Sequence, residues 1–96
     1  MPINIFRVTP EGQKNEEVAW LCDNSWRLPD QGKALVAWLA EYAVKLPAGD
    51  YAADIGFAPR EDALGGGAAF PPEALQQMAA VGMTLYLSEY PINDDP

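Results

Sequence analysis

The chain has 96 residues, of which 49% are hydrophobic, and this predicts one globular domain with room for one modest core. Fourteen acidic residues against six basic ones give a net charge of −8, which argues against binding nucleic acid through its phosphates and favours a basic protein partner. With a single cysteine, Cys22, and no histidine, the sequence excludes an internal disulfide and every serine–histidine or cysteine–histidine nucleophile pair.

The charge is distributed unevenly along the chain. All six basic residues lie in the first sixty positions, whereas residues 61–96 contain six acids and no lysine or arginine. We therefore expect the last third of the chain to present a negative surface. No basic segment precedes an apolar one at the N-terminus, and the most apolar helical segment, residues 34–40, is too short to cross a bilayer. The expected location is cytoplasmic, without membrane contact.

The first predicted elements form a hairpin. Residues 3–8 are rich in β-branched and apolar side chains and predict a strand. Residues 9–12 read Thr-Pro-Glu-Gly, with proline second and glycine fourth, as a type I turn prefers. In residues 17–22, Val18, Trp20 and Cys22 alternate with other side chains, which favours a second strand, and one turn of helix is the alternative.

A loop and a helix follow. Trp26 lies in a polar loop, where it either covers the core as a lid or anchors a binding partner. Asp30 is expected to cap a helix that runs to about residue 46. We expect Trp20 and Trp38 to be buried. The apolar stripe of the helix recurs at 3.6-residue spacing and comprises Leu35, Val36, Leu39, Tyr42, Ala43 and Leu46.

Residues 50–58 predict a strand with two unlike faces. One face consists of Tyr51, Ala53, Ile55 and Phe57, and the other consists of Ala52, Asp54 and Gly56. The small face is either covered by something bulky or open to water. Asp54 interrupts an apolar strand, so it is either an outward-facing residue or a buried or interface acid that awaits an arginine or lysine.

The last third predicts strand, helix and strand in succession. Residues 59–67 form a loop with three consecutive glycines, and residues 67–70 are expected to return as a short strand antiparallel to residues 50–58. Pro72 and Glu73 suit the first turn of a helix, and Gly82 suits its left-handed end. Residues 83–90 predict the last strand, and residues 91–96 a frayed acidic tail.

These elements predict a fold of the α+β class. We expect a small single domain over residues 1–96, with a mostly antiparallel sheet of four to five strands and two helices packed on one face. The run from Trp26 to Tyr90 is similar to an uncharacterised bacterial α+β family. The likeness rests on a tryptophan before a helix, the strand ADIGF, a glycine-containing loop, the segment Pro-Pro-Glu-Ala-Leu, and Val-Gly before a strand that ends in tyrosine. The family includes immunity proteins of polymorphic toxins, so the resemblance implies a toxin-neutralising role.

The leading functional hypothesis is a non-enzymatic inhibitor that occludes a basic surface of a partner protein, as an immunity protein does. A phage-encoded inhibitor of a bacterial defence nuclease, of the anti-CRISPR type, is the same hypothesis with another target, since acidic groups would imitate nucleic-acid phosphates. We expect no cofactor, no metal and either a monomer or a homodimer. The candidate partner-binding residues are Asp54, Glu61, Asp62, Glu89, Trp26 and Tyr90.

Two other classes of function stay open. A small enzyme could use carboxylates alone or with a divalent ion, although the adjacent acid pairs lack the alternating spacing of a metal-binding loop. A structural subunit could pair through an exposed edge strand such as residues 3–8.

Overall fold

The computed structural model describes residues 2–10, 15–22, 25–58 and 67–90. In this part of the chain, four strands form one sheet and two α-helices pack against it, which confirms the predicted α+β class. The elements in chain order are β1 (Ile3–Arg7), β2 (Glu16–Leu21), α1 (Leu28–Tyr42), β3 (Tyr51–Phe57), α2 (Pro72–Val81) and β4 (Met83–Glu89), with a 3-10 turn at Ala43–Lys45 after α1.

The sheet is mixed and has the strand order β2-β1-β3-β4. β1 is antiparallel to both β2 and β3, so the predicted hairpin is confirmed, and β3 is parallel to β4. The chain therefore crosses from β2 to β3 through α1 and from β3 to β4 through α2, both times in the same direction across the sheet. Right-handed crossovers place both helices on one face, and α1 and α2 contact each other there.

The core lies between the helices and one face of the sheet, which we call the covered face. Because side chains alternate along a strand, the odd-numbered residues of β1 and β3 point to this face. Leu35 and Leu39 of α1 pack against them and have no exposed surface. The strand residues that are fully buried on the covered face are Ile3, Ile5, Ala53 and Ile55.

The predicted start of α1 is wrong by three residues, since the cap was expected at Asp30 and lies at Arg27. The helix begins at Leu28, and Pro29 occupies its first turn, where a residue without an N–H loses no hydrogen bond. Arg27 is the N-cap and makes no capping bond through its side chain. The Asp30 carboxylate accepts a hydrogen bond of 3.0 Å from the Ser25 hydroxyl and lies 3.8 Å from Arg27 Nε.

The expected fifth strand at residues 67–70 is also wrong. β3 already pairs with β1 on one side and β4 on the other, so it has no free edge for another strand. The segment passes over the start of α1 instead. Its closeness is shown at Gly32, where an added Cβ would lie only 2.6 Å from the Ala68 Cβ. The two prolines that follow, Pro71 and Pro72, have no N–H to donate to a ladder.

The join between α2 and β4 confirms the prediction for Gly82. This residue has φ +76° and ends the helix in the left-handed conformation that favours glycine. Its N–H donates to the carbonyls of Met78 and Ala79. The strand at residues 17–22 is confirmed as β2, while the loop at residues 59–66 and the tail at residues 91–96 lie outside the described residues.

Candidate functional site

The face of the sheet opposite the helices carries the candidate site, and we call it the open face. Its even-numbered residues line up across all four strands. Trp20 is opposite Asn4, Asn4 is opposite Asp54, and Asp54 is opposite Tyr86. Two aromatic side chains at the outer strands therefore flank an amide and a carboxylate at the inner strands, which is a composition that suits recognition of polar groups.

Asp54 is half-buried in this row, and none of the ion pairs of the described residues includes it. The Ser88 hydroxyl donates a 2.7 Å hydrogen bond to Asp54 Oδ1. Within the described residues, the ion pairs join Arg7 to Glu16 and Arg27 to Asp30, and neither involves Asp54. The carboxylate is therefore held in place by a neutral donor, and the described part of the chain leaves its negative charge unbalanced.

Asn4 adds a second acceptor beside Asp54. Its Oδ1 atom is buried and accepts no hydrogen bond from the described residues. Residues directly opposite on neighbouring strands have Cβ atoms roughly 5 Å apart, so the amide and the carboxylate are neighbours. The Asp54 carboxylate is the acceptor of this centre that suits an arginine or lysine side chain.

Trp26 and Tyr90 pack together at one end of the open face. Their rings meet edge to face, with centroids 5.6 Å apart and an interplanar angle of 81°. A Cβ added to Gly56 would lie 2.8 Å from Tyr90 Cε2 and 3.3 Å from Trp26 Cζ3, so the two rings lie directly over this glycine. Both rings stay exposed, at 43% for Trp26 and 47% for Tyr90. Trp26 thus covers part of the sheet and also presents an aromatic surface.

The backbone fixes this aromatic pair to the strand ends. The Ala58 N–H donates to the Trp26 carbonyl at 2.9 Å, and the Tyr90 N–H donates to the Phe57 carbonyl at 2.9 Å. The pair is therefore positioned by the last residues of β3 and by the end of β4. An aromatic cluster held by backbone bonds loses little conformational entropy when a partner binds to it.

Gln31 of α1 supports the same region from the covered side of the sheet, and it was not among the residues predicted from the sequence. The side chain is completely buried, and its Nε2 donates to the Gly56 carbonyl at 2.6 Å and to the Ser25 carbonyl at 3.1 Å. It thus ties the first turn of α1 to β3 and to the loop that carries Trp26. The available signal was its position three residues after Leu28 and four before Leu35, on the apolar stripe of the helix.

The remaining candidate residues divide into two groups. Glu89 is exposed at the end of β4, but it pairs with Phe57 and therefore belongs to the covered face, on the other side of the sheet from Asp54. Glu61 and Asp62 lie outside the described residues. The structure thus brings together Asp54, Trp26 and Tyr90 on the open face and places Glu89 apart from them.

The prediction that Trp20 is buried is wrong, because its side chain is 41% exposed. Trp20 is an even-numbered residue of an outer strand, so it points to the open face and has a neighbouring strand on one side only. Trp38 is half-buried against the core, and its ring centroid lies 5.5 Å from that of Tyr42. The two tryptophans differ because Trp38 packs from α1 against the core, whereas Trp20 points to the open face.

A shallow groove of about 320 Å³ lies between the end of α1 and α2, outside the open face. Glu73 is the one ionisable side chain among the residues that line it, so the groove offers no acid–base pair. Across the described ranges, no group of three metal-ligating side chains converges, and no helix is long and apolar enough to cross a membrane.

Comparison with known proteins gives no match that bears on the fold or the site. No protein-family model matches the chain, no curated protein matches it, and no solved structure matches it. The resemblance to a family that includes immunity proteins therefore stays a prediction.

Proposed function

We propose that this protein is a non-enzymatic inhibitor that binds a basic surface of a partner protein through the open face of its sheet. The observation that supports this most is the arrangement around Asp54. A half-buried carboxylate is held by Ser88, has no cation of the described chain beside it, and lies on one face with the edge-to-face rings of Trp26 and Tyr90.

The aromatic part supplies contact area. Tryptophan and tyrosine are enriched among residues that dominate binding energy, because large rigid rings exclude water at little entropic cost. The acidic part supplies orientation. A carboxylate accepts hydrogen bonds from a guanidinium or ammonium group, and charge-assisted bonds are roughly twice as strong as neutral ones. Together they favour a partner with an exposed arginine or lysine near an apolar patch.

The net charge of −8 supports the same type of partner. A strongly negative protein attracts a basic one over distances of about 8 Å at physiological salt and raises the rate of encounter. A toxin with a basic active groove would be neutralised by such contact, which is the immunity-protein form of the proposal. A defence nuclease would be neutralised in the same way, since its basic groove normally holds phosphates.

The test is affinity capture from lysate of the native host, with the wild-type chain compared with Asp54→Asn and Trp26→Ala. We expect a basic partner that is retained at low salt and released at high salt. Each substitution should weaken retention by about tenfold or more, which corresponds to the 1.4 kcal/mol or more expected of a central contact.

The matched control is Glu41→Gln, which removes one negative charge from an exposed position on α1, away from the open face. It should leave capture nearly unchanged. If the Glu41→Gln chain retained the partner as poorly as the Asp54→Asn chain, the proposed binding face would be contradicted. The absence of any basic, salt-sensitive partner would contradict the proposed function. Displacement of the captured partner by duplex DNA would identify the form of the proposal in which the partner is a defence nuclease. Persistence of the complex would identify the immunity-protein form.

A further inference from the structure

The outer edge of β4 carries unpaired backbone groups. The Tyr51 N–H donates to the Gly82 carbonyl, and the Tyr90 N–H donates to the Phe57 carbonyl, so even-numbered residues of this segment bond to β3. The odd-numbered residues direct their N–H and C=O groups away from β3. Within the described ranges, no strand pairs with β4 on that side. These outward-facing residues are Met83, Leu85, Leu87 and Glu89.

This edge lacks the features that normally prevent strand pairing between molecules. Proteins protect outer strands with lysines, prolines, bulges or inward-pointing charges. β4 has no lysine, proline or bulge over Met83–Glu89, and its one acidic side chain, Glu89, is at the end of the strand. Tyr86 and Leu87 are 52% and 55% exposed. The other outer strand, β2, differs, because it begins with Glu16 and Glu17 and has an irregular register with β1.

The sequence of β4 is chemically symmetric about Tyr86. Thr84 and Ser88 stand two residues to either side, and Leu85 and Leu87 stand one residue to either side. We propose that β4 pairs antiparallel with β4 of a second copy of this chain, with the two Tyr86 residues opposite each other. Hydroxyl then meets hydroxyl, leucine meets leucine and tyrosine meets tyrosine, as a two-fold interface requires.

The direction of the backbone groups fits this register. In an antiparallel ladder, opposite residues either both bond across the pair or both bond away from it. Centring on Tyr86 places Leu85 opposite the second copy's Leu87 and Met83 opposite its Glu89, and all of these direct their backbone groups outward. Tyr86 itself forms the closely spaced, non-bonded kind of pair, where aromatic rings contact best.

Charge favours a second copy over a basic partner at this edge. Met83 to Ser88 contain no aspartate, glutamate, lysine or arginine in a chain of net charge −8, so this is a segment that two equally acidic molecules can bring together. In the proposed register, Glu89 faces Met83 of the other copy, and the two Glu89 residues lie at opposite ends of the ribbon. The occupant of this edge is thus a second copy, whereas a basic partner suits the open face.

The pairing extends the sheet to eight strands, four from each copy, and leaves one continuous open face. Each copy contributes one Trp26–Tyr90 pair to that face. A seven-residue ribbon is a small contact, and interfaces below roughly 1,200 Å² in total are usually weak. We expect dissociation in the micromolar range, so the fraction of dimer should rise across roughly 1 µM to 1 mM of protein.

The first experiment measures molar mass by sedimentation over this concentration range. The wild type should pass from monomer to dimer, and Leu87→Lys should shift the transition to at least tenfold higher concentration, since an edge lysine opposes pairing. Val44→Lys is the matched control, because it adds the same charge at an apolar residue that is 81% exposed and outside the sheet. A wild type that stays monomeric throughout, or a Val44→Lys chain that dissociates as readily as Leu87→Lys, would overturn the proposal.

The second experiment tests the register in a Cys22→Ser background. Tyr86→Cys should form a disulfide-linked dimer under mild oxidation, because opposite residues bring their Cα atoms within the 4.4–6.8 Å that a disulfide spans. Thr84→Cys, on the same face, is the control. In the proposed register its own copies are about four residues, or roughly 13 Å, apart, so it should not cross-link. Equal cross-linking of the two variants would contradict the register.

Salt separates this proposal from the proposed function. Screening weakens the repulsion between two acidic copies, so added salt should strengthen the dimer, whereas it should release a basic partner. Dimerisation weakened by added salt would contradict pairing through the uncharged edge. Leu87→Lys should still capture the basic partner through Asp54, so each proposal can fail while the other stands.

Discussion

The covered and open faces are made from the same four strands, but they differ in what surrounds their side chains. On the covered face, Ile3, Ile5 and Ile55 have no exposed surface, because α1 and α2 lie over them. On the open face, Tyr86 and Trp20 keep 52% and 41% of their surface exposed. Burial of apolar area is the main stabilising contribution to folding. The covered face therefore provides most of the stability, and the open face is free to present residues that suit binding.

β3 shows this difference within a single strand. Tyr51, Ala53 and Ile55 are buried in the core, whereas Asp54 and Gly56 face the open side. Gly56 leaves room for Trp26 and Tyr90 to lie against the backbone. Asp54 lies opposite Asn4 in the row of polar and aromatic residues on the open face. One strand thus provides both the centre of the core and the centre of the candidate site.

The largest expected effect comes from truncating the covered face of β3. Ile55→Ala removes a fully buried side chain between the sheet and the helices, and the cavity left behind should lower the free energy of unfolding by about 2–5 kcal/mol. Asp54→Ala changes the adjacent residue, which points to the open face. It removes the acceptor of the Ser88 hydroxyl and should cost no more than about 1.5 kcal/mol.

Urea unfolding of the two variants measures this contrast. The midpoint should fall much further for Ile55→Ala, with unchanged slopes. Equal losses for the two neighbours would show that the open face stabilises the fold as much as the covered one, and the division between the faces would be wrong.

A smaller effect is expected from Gln31, which links the two sides. Gln31→Met keeps the length of the side chain and removes the donor to the buried Gly56 carbonyl and to the Ser25 carbonyl. Carbonyls left without a donor should lower the free energy of unfolding by about 1–3 kcal/mol. Gln76→Met, at an exposed position of α2, is the control and should change it by no more than about 0.5 kcal/mol. Thermal and urea unfolding of both variants would check this, and a neutral Gln31→Met would contradict the role assigned to these bonds.

The smallest effect on stability is expected on the open face itself. Gly56→Ala places a methyl group against Tyr90 and Trp26, whose exposed rings can move away, so the free energy of unfolding should fall by about 1 kcal/mol or less. The ring displacement should shift the indole N–H resonance of Trp26 in a ¹H–¹⁵N spectrum. The resonance of Trp38, on the helix side, should not move. An unchanged Trp26 resonance would contradict the packing of the rings over Gly56.

Local chemistry accounts for the parts of the fold that sequence reasoning predicted. The alternation in residues 50–58 predicts a strand with one small face, and Gly82 predicts a helix end, because each depends on side-chain period or on backbone conformation at one residue. The wrong predictions concern partners. Residues 67–70 have strand-like composition, but both edges of β3 are already occupied. Asp30 suits a cap, but Pro29 allows α1 to begin earlier.

The candidate site was predicted in part for the same reason. Asp54, Trp26 and Tyr90 could be selected by residue type, because an acid in an apolar strand and exposed aromatics are unusual. Their convergence could not be predicted, since it depends on the register of β3 with β4 and on Gly56 lying under the rings. Gln31 was missed because its importance comes from two carbonyls that are distant from it or lie in a loop.

By itself, the sequence determined the acidic character of this protein, the absence of imidazole chemistry, and the four strands and two helices along the chain, to which it added a strand at residues 67–70 that does not form. Tertiary structure alone decided that β4 joins β3 in parallel, that Trp20 faces outward, and that Asp54 shares a face with the aromatic pair. The physical reason is the distance along the chain over which each signal acts. Turn, cap and periodicity signals act within a few residues, whereas strand pairing is decided by which free edge remains once the helices have covered one face.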